Sequence, residues 1–304
     1  MLDICLLGTG GTQPLVNRWL TALVVRYSGH ALLIDCGEGT QIAAQRAGIS
    51  LKPVDKILLT HLHADHVSGL PGLLLTMGNM GRTESVSVIG PRGTERLIDA
   101  VRVIAPNLPF ELRVSELDTE QELMYFLECD IEAFAVQHGV PCYGYSISLP
   151  RAGKFDAARA RELGIPLPFW SRLQKGESIE HEGQLYTPEL VMGPPRRGLK
   201  LTYCTDSRPT PAIAAAARDA DLFICEGMYG DDESLPKARE NRHMLFSEAA
   251  RLAADAGGVR ELWLTHYSPS LPNPKAYRDV ARAIFPHTHT ARDGWTKELR
   301  FEDE

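Results

Sequence analysis

Short apolar runs, each closed by a glycine, a proline or a polar residue, recur along the chain, and their lengths suit buried strands. Runs over 4–7, 20–26 and 31–34, separated by Gly8-Thr9-Gly10-Gly11 and Ser28-Gly29, predict an N-terminal β-meander. Residues 40–47 predict a helix closed by Gly48, and Pro53 precedes the apolar run Ile57-Leu58-Leu59-Thr60. Strands over 86–89 and 131–137 flank a helix over 94–104 that Pro106 ends. Between Pro150 and Pro195 the pattern breaks: Pro150, Pro166, Pro168, Pro188, Pro194 and Pro195 interrupt short charged segments, which reads as an excursion from the body. Alternation then resumes, with strands over 199–204, 222–225 and 261–264 and helices over 211–220, 247–256 and 275–285.

The run 57–60 leads into His61-Leu62-His63-Ala64-Asp65-His66, four potential metal ligands in six residues where a buried strand leaves the core. A histidine-rich solvated loop is the commoner explanation for one His-x-His pair. Here further ligand types close other predicted strands: His138 after Ala133-Phe134-Ala135-Val136-Gln137, Asp206 after Leu201-Thr202-Tyr203-Cys204-Thr205, and His266. Trp263-Leu264-Thr265-His266 also echoes Leu58-Leu59-Thr60-His61, as two related halves would if their strand ends converged at one edge of a sandwich. An extended His-x-His turns both rings to one side, so His61 and His63 can share one ion with His138. Asp65 and His66, continuing into a turn, face a second ion with His266, and Asp206 stands between the two. Nitrogen and oxygen ligands without a thiolate suit Zn²⁺, with Mn²⁺ or Fe as substitutes, and disfavour a purely structural zinc. Two ions about 3.5–4 Å apart bring a bridging water to near-neutral pKa and clamp both oxygens of an in-line displacement, so hydrolysis is the expected chemistry.

With 304 residues, 44% of them hydrophobic, the chain can bury a large core. No run of about 18 apolar residues is present to span a bilayer, and Met1-Leu2-Asp3-Ile4 lacks the basic start of a signal peptide. A cytoplasmic protein without a membrane partner is expected. The six cysteines are scattered through apolar segments without a Cys-x-x-Cys pair, so they read as buried free thiols. A formal charge of −7 argues against a protein coated in nucleic acid but leaves room for a local patch. One candidate lies between Arg151 and Lys175, where Arg151, Lys154, Arg159, Arg161, Arg172 and Lys175 face only Asp156 and Glu162. Arg196, Arg197 and Lys200 follow it.

The hexad matches the His-x-His-x-Asp-His signature of the metallo-β-lactamase superfamily. Around it stand Leu7-Gly8-Thr9-Gly10-Gly11, Asp35-Cys36-Gly37-Glu38-Gly39-Thr40-Gln41, Gly69-Leu70-Pro71-Gly72-Leu73-Leu74, Gly90-Pro91, His138-Gly139-Val140-Pro141 and Tyr203-Cys204-Thr205-Asp206-Ser207-Arg208. With these segments the chain resembles the ribonuclease Z family, the tRNA 3′-processing endonucleases, over most of 1–145 and 190–285. The segment 35–41 is much more specific to the nuclease branch than the hexad, which other branches of the superfamily share.

The resemblance implies an α+β fold, a four-layer αββα sandwich of two mixed β-sheets flanked by helices. It implies a single domain over 1–304 with a protruding arm embedded at about 150–190, two Zn²⁺ per chain and a homodimer. It assigns His61, His63 and His138 to one ion, Asp65, His66 and His266 to the other, and Asp206 to both, with Asp65 doubling as proton acceptor. His243 would protonate the departing 3′ oxygen, supported by Glu226, and Arg151, Lys154, Arg172 and Lys175 in the arm would meet precursor tRNA. The implied activity is removal of 3′ trailers from precursor tRNA through a metal-bridging hydroxide. The alternative on the same scaffold is hydrolysis of small phosphodiesters, lactones or thioesters. An oxygen- or nitric-oxide-reducing di-iron protein is disfavoured, because such proteins normally carry glutamate where His63 stands.

Overall fold

Strands that are apolar at every position, rather than at every second one, are buried on both faces, and they set the architecture of this chain. The computed structural model describes residues 1–302. Strands β1 (Leu2–Gly8), β2 (Ala22–Tyr27) and β3 (His30–Ile34) form an antiparallel meander. Helix α1 (Thr40–Arg46) then leads to β4 (Val54–Leu58), which pairs parallel with β3. The one-turn α2 (Ala64–Val67) and α3 (Leu70–Asn79) lead to β5 (Val86–Pro91), and α4 (Thr94–Ile104) leads to β6 (Leu112–Leu117), both strands again parallel.

The second half repeats this plan. Strands β7 (Gln121–Phe126), β8 (Cys129–Ala135) and β9 (Tyr143–Arg151) are an antiparallel meander. An inserted segment follows, holding α5 (Ala157–Glu162), α6 (Leu167–Gln174), β10 (Ile179–His181) and β11 (Gln184–Tyr186). Parallel pairing then joins β12 (Arg196–Cys204), β13 (Leu222–Glu226), β14 (Leu262–Thr265) and β15 (Thr288–Thr290). Their connections carry α7 (Pro211–Ala217), α8 (Leu235–Asn241), α9 (Phe246–Ala256) and α10 (Arg278–Arg282). Strand β16 (Trp295–Leu299) returns to pair antiparallel with β1. The two seven-stranded sheets thus run β16-β1-β2-β3-β4-β5-β6 and β15-β14-β13-β12-β9-β8-β7.

Alternate residues of each strand meet different layers. In the first sheet Cys5, Leu7, Ala31 and Leu33 pack against Ala43 of α1, Leu73 and Met77 of α3 and Ile98 of α4. Their neighbours Ile4, Leu6, Leu32 and Ile34 are equally buried on the opposite face. In the second sheet Phe223, Cys225 and Leu264 pack against Ile213 of α7 and Ala250 and Ala253 of α9. The inner faces meet each other: the Tyr145 hydroxyl of β9 donates to the Leu59 carbonyl at 2.7 Å, and the Tyr143 amide donates to the Thr60 carbonyl at 2.9 Å. The result is the four-layer αββα sandwich. All six cysteines are buried and unpaired, as their apolar settings predict.

Two local expectations are corrected. Residues 275–285 do not form one helix: a 3₁₀ turn over Pro274–Tyr277 precedes α10. The Asp65-His66 turn is a full helical turn, α2, so both side chains leave one short helix whose N-cap, His63, is extended. Among the described residues no helix is long and apolar enough to cross a membrane.

The inserted segment, Leu149–Gly198, is a separate compact unit. Its prolines start elements rather than abolish them, since Pro166 caps α6 and Pro188 opens a 3₁₀ turn. Ala160, Ile165, Leu173, Ile179, Tyr186 and Val191 form its own small core, and the Trp170 indole donates to the Ile165 carbonyl at 2.9 Å. Part of its positive charge is spoken for: Arg172 pairs with Glu177 at 2.7 Å and Arg159 with Glu162 at 2.9 Å.

Candidate metal centre

Parallel strands end at one rim of a sheet, and side chains just beyond their carboxyl ends face a common crevice. His61 follows β4, Asp206 follows β12 and His266 follows β14, so the Thr-His echo of the sequence corresponds to two strand ends that meet. The turn at each is tight. Asp206 (φ 38°) and His266 (φ 55°) sit in left-handed backbone, a conformation that costs of order 1 kcal/mol for such residues and that surrounding structure must enforce. His138 arrives three residues after β8.

The seven side chains form two groups around one carboxylate. His61 Nε2 lies 2.9 Å from His63 Nδ1, and His63 Nδ1 lies 3.3 Å from His138 Nε2. Asp206 Oδ2 stands 3.6 Å from His61 Nε2 and 3.8 Å from His138 Nε2. On the other side His66 Nε2 and His266 Nε2 are 3.2 Å apart, with Asp65 Oδ2 at 3.6 and 3.4 Å from them. Asp206 Oδ1 completes that group at 3.3 Å from His66 and 3.1 Å from His266. The two oxygens of Asp206 therefore face different groups.

The donor set fits cations. His66 Nδ1 donates to Asp35 Oδ2 at 2.8 Å and His138 Nδ1 donates to the Arg242 carbonyl at 3.3 Å, which leaves the Nε2 lone pair of each pointing inward. Lone pairs this close repel unless something positive lies among them. Asp206 Oδ1 is buried without a hydrogen-bond partner among the described residues. A tetrahedral shell with bonds of 2.0–2.2 Å spaces its ligands about 3.3–3.6 Å apart, and the distances here, from 2.9 to 3.8 Å, bracket that spacing. Burial alone would push Asp206 up, but the surrounding imidazoles of His266, His66 and His61 outweigh it and hold the carboxylate well below its usual range. Burial, reinforced by His66, keeps His61 neutral with its pKa well below the ordinary value, the state a ligand needs.

His243 and Glu226 complete the pocket. Glu226 ends β13 fully buried, where Oε1 accepts from the Ser207 amide at 2.6 Å and Oε2 accepts from His243 Nδ1 at 3.1 Å and the Met244 amide at 3.2 Å. Burial disfavours charge on His243, but the Glu226 carboxylate outweighs it and raises the imidazole to about 9. The ring lies 5.3 Å from that of His138 and 5.5 Å from that of His266, with Nε2 left for a ligand. All of these residues except buried His61, His66 and Glu226 line one open cavity of about 670 Å³, together with Thr12 and Gln13, Ser268–Ser270, and Tyr229, Lys237 and Asn241.

Several supports were not assigned from the sequence. Asp35, left-handed at φ 60°, accepts from the Thr60 amide at 2.8 Å and from His66, and so fixes the ring through which His66 can bind. Asp35→Asn is expected to weaken metal binding by about 10–100-fold, the usual effect of losing such a partner, measured by chelator competition. Thr12 (φ 73°) donates its amide to Asp65 Oδ2 at 2.6 Å. Gly11 beside it is required by contact, since a Cβ there would lie 2.5 Å from the His266 ring. Gly37 is required in the same way, its Cβ position being 2.4 Å from the Asp65 carbonyl. Arg208 forms a two-pronged pair with Glu248 and also donates to the His243 carbonyl, clamping that loop. Their sequence signal is their place in the glycine-rich and Thr-Asp-Ser-Arg segments, which hold Gly11, Asp35, Gly37 and Arg208, with Thr12 directly after the first. Arg151, Lys154, Arg172 and Lys175 lie within or at the edge of the inserted unit and do not line this cavity.

Residues 21–153 match the family model of the metallo-beta-lactamase superfamily. Ribonuclease Z of Lachnospira eligens is 57% identical over all of both chains. Ribonuclease Z of Clostridium kluyveri is 49% identical, again over the whole of each. Among solved structures, the short form of human tRNase Z superposes with a TM-score of 0.71 at 23% identity, covering 98% of this chain and 100% of that one. A diphosphatase of the PhnP family superposes at 0.63 and 17% identity over 99% of this chain and 98% of its own. The fold alone is thus shared by proteins with different substrates.

Proposed function

We propose, from the premise that the chain belongs to the ribonuclease Z family of the metallo-β-lactamase superfamily, that its seven converging side chains hold two zinc ions. The protein is a metal-dependent endoribonuclease that processes the 3′ ends of precursor tRNA. The single observation that carries the dinuclear reading is Asp206, whose two oxygens each face a separate group of imidazoles. His61, His63 and His138 belong to one ion, Asp65, His66 and His266 to the other. Mn²⁺ or Fe would suit the same donors.

Ions held there supply a nucleophilic water and neutralise charge on the phosphate. The chain's own groups handle the protons. Burial works against ionised Asp65, but its hydrogen bond with His266 and the neighbouring imidazoles of His66 and His266 hold it well below the usual carboxylate range, so it is a carboxylate able to accept a proton. His243, charged and oriented by Glu226, donates from Nε2 to the departing 3′ oxygen, whose alkoxide is too basic to leave unaided. The test is incubation of the purified protein with an unprocessed tRNA transcript and mapping of product ends, with Asp65→Ala as control. Cleavage elsewhere than at the trailer junction would defeat the reading.

The inserted unit is the proposed tRNA grip, through Arg151, Lys154, Arg172 and Lys175. Replacing residues 152–195 by a short Gly-Ser turn between β9 and β12, which are neighbours in the sheet, tests it. Processing of precursor tRNA should fall roughly 100-fold as phosphate contacts are lost, while hydrolysis of a chromogenic phosphodiester stays within about twofold. The family reading also carries a homodimer, measured by sedimentation equilibrium, and a cytoplasmic location, measured by fractionation.

A further inference from the structure

A second basic surface lies in the body of the molecule, apart from the inserted unit. Two adjoining depressions of about 270 and 350 Å³ share Asn17 and Asp293. They carry four cationic residues, Arg18, Arg46, Lys275 and Arg292, against the single carboxylate of Asp293. That carboxylate is already committed: it accepts from the Thr9 amide at 3.0 Å, the Thr9 hydroxyl at 2.7 Å and the Trp19 amide at 2.6 Å. Arg46, Lys275 and Arg292 are exposed, and among the described residues none has a carboxylate partner. The neighbour of Arg46 is the Trp19 ring, 5.4 Å from its guanidinium. In a chain of net charge −7, unneutralised cations gathered in one groove are the footprint of a polyanion.

The groove adjoins the catalytic cavity through one loop. Ser268, Pro269 and Ser270 wall the cavity, while Tyr267 and Asn273–Lys275 wall the groove. Arg18 binds that loop from the groove side, donating to the carbonyls of Ser268 at 3.3 Å, Leu271 at 3.0 Å and Pro272 at 3.2 Å. His243 marks the side of the cavity where the 3′ oxygen of the tRNA body leaves. The same cavity is also walled by Thr12–Gln13 and Ser268–Ser270, beyond which the groove begins, which gives the strand on the other side of the cut a way out toward it.

We infer that this groove binds the RNA strand 3′ of the scissile bond, the trailer, with Arg46, Lys275 and Arg292 meeting its phosphates. The inference rests on the trailer-processing reading and adds a site to it. It accounts for cations that line the groove and not the cavity holding the metal-ligating side chains. Contacts to a trailer backbone are independent of its sequence, as an enzyme meeting many trailers requires.

The test uses the full-length, metal-loaded protein and the variant Arg46→Ser/Lys275→Ser/Arg292→Ser, which breaks no ion pair among the described residues. One arm compares precursors whose trailers are one and about ten nucleotides long. The KM for the longer should rise roughly tenfold in the variant and that for the shorter should not change. A second arm measures binding of a fluorescent single-stranded RNA of about twelve nucleotides. Loss of three phosphate contacts should make the slope of log Kd against log salt shallower by about 2. Lysine at positions 46 and 292, with Lys275 retained, should restore both readouts. Equal KM changes for the two trailers, or unchanged oligonucleotide binding, would overturn the groove. If wild type cleaves no precursor but binds the oligonucleotide through these residues, the groove stands as a single-strand site and the trailer-processing reading falls.

Discussion

Asp206→Ala is expected to leave a folded protein that retains neither ion and processes precursor tRNA at least ~10⁴-fold more slowly. Each of the two histidine groups takes one oxygen of this carboxylate, so its loss removes a ligand from both at once, whereas loss of His138 would remove a ligand from one. It also removes a buried negative charge that would offset the charge of bound cations, leaving Asp65 as the carboxylate among these ligands. The backbone at 206 is left-handed, so alanine fits no better there than aspartate and the fold gains nothing in return. Elemental analysis after dialysis supplies the readout independent of activity. A variant that keeps two ions per chain would mean that Asp206 does not bridge, and the dinuclear arrangement would have to be redrawn.

The parts of this site that the sequence disclosed share one property: each is a ligand-type residue placed directly after a run of buried strand residues. Continuous apolar runs such as 57–60 and 201–204 have one interpretation, a strand covered on both faces, so the polar residue that follows must lie at the rim. That is why His61, Asp206 and His266 could be placed from pattern alone. Helix α3 was not predicted because Leu70-Pro71-Gly72 carries two breakers in its first turn, which are tolerated there since Pro71 has no intrahelical partner to lose. Strands β6 and β7 alternate exposed and covered residues at the sheet edges, a weaker signal than a solid apolar run. The inserted unit was read as broken chain because its core is only a handful of residues spread among charges. Supports such as Asp35, Arg208 and the Thr12 amide are invisible to spacing, since each acts across the fold on a residue distant in sequence. His243 and Glu226 came from family resemblance alone. Their coupling depends on the carboxyl end of β13 lying beside the loop that precedes α9, which no periodicity reveals.

His243→Ala is expected to lower kcat about 10²–10⁴-fold on precursor tRNA, the range for removal of a general acid, while leaving KM and metal content near wild type. The diagnostic is the leaving group. A chromogenic phosphodiester releases a weakly basic phenolate that needs no proton, so the variant should hydrolyse it nearly as fast as wild type. A pH profile supplies the second check. Burial opposes charge on His243 and Glu226 overcomes it, raising the pKa to about 9. The acid is therefore present throughout the neutral range, and activity should fall as pH rises through about 9. Glu226→Gln removes the charge that sustains this elevation, so the alkaline fall should move down toward the ordinary histidine value, near 6.5. Burial without compensation would carry it lower still. The same change forces an amide NH₂ against donors, since the Ser207 amide, His243 Nδ1 and the Met244 amide all donate to this one side chain. A stability loss of about 1–3 kcal/mol should accompany it, read from chemical unfolding. If the alkaline limb stays in place in Glu226→Gln while activity falls uniformly, His243 is not the group that titrates and the proton must reach the 3′ oxygen by another route.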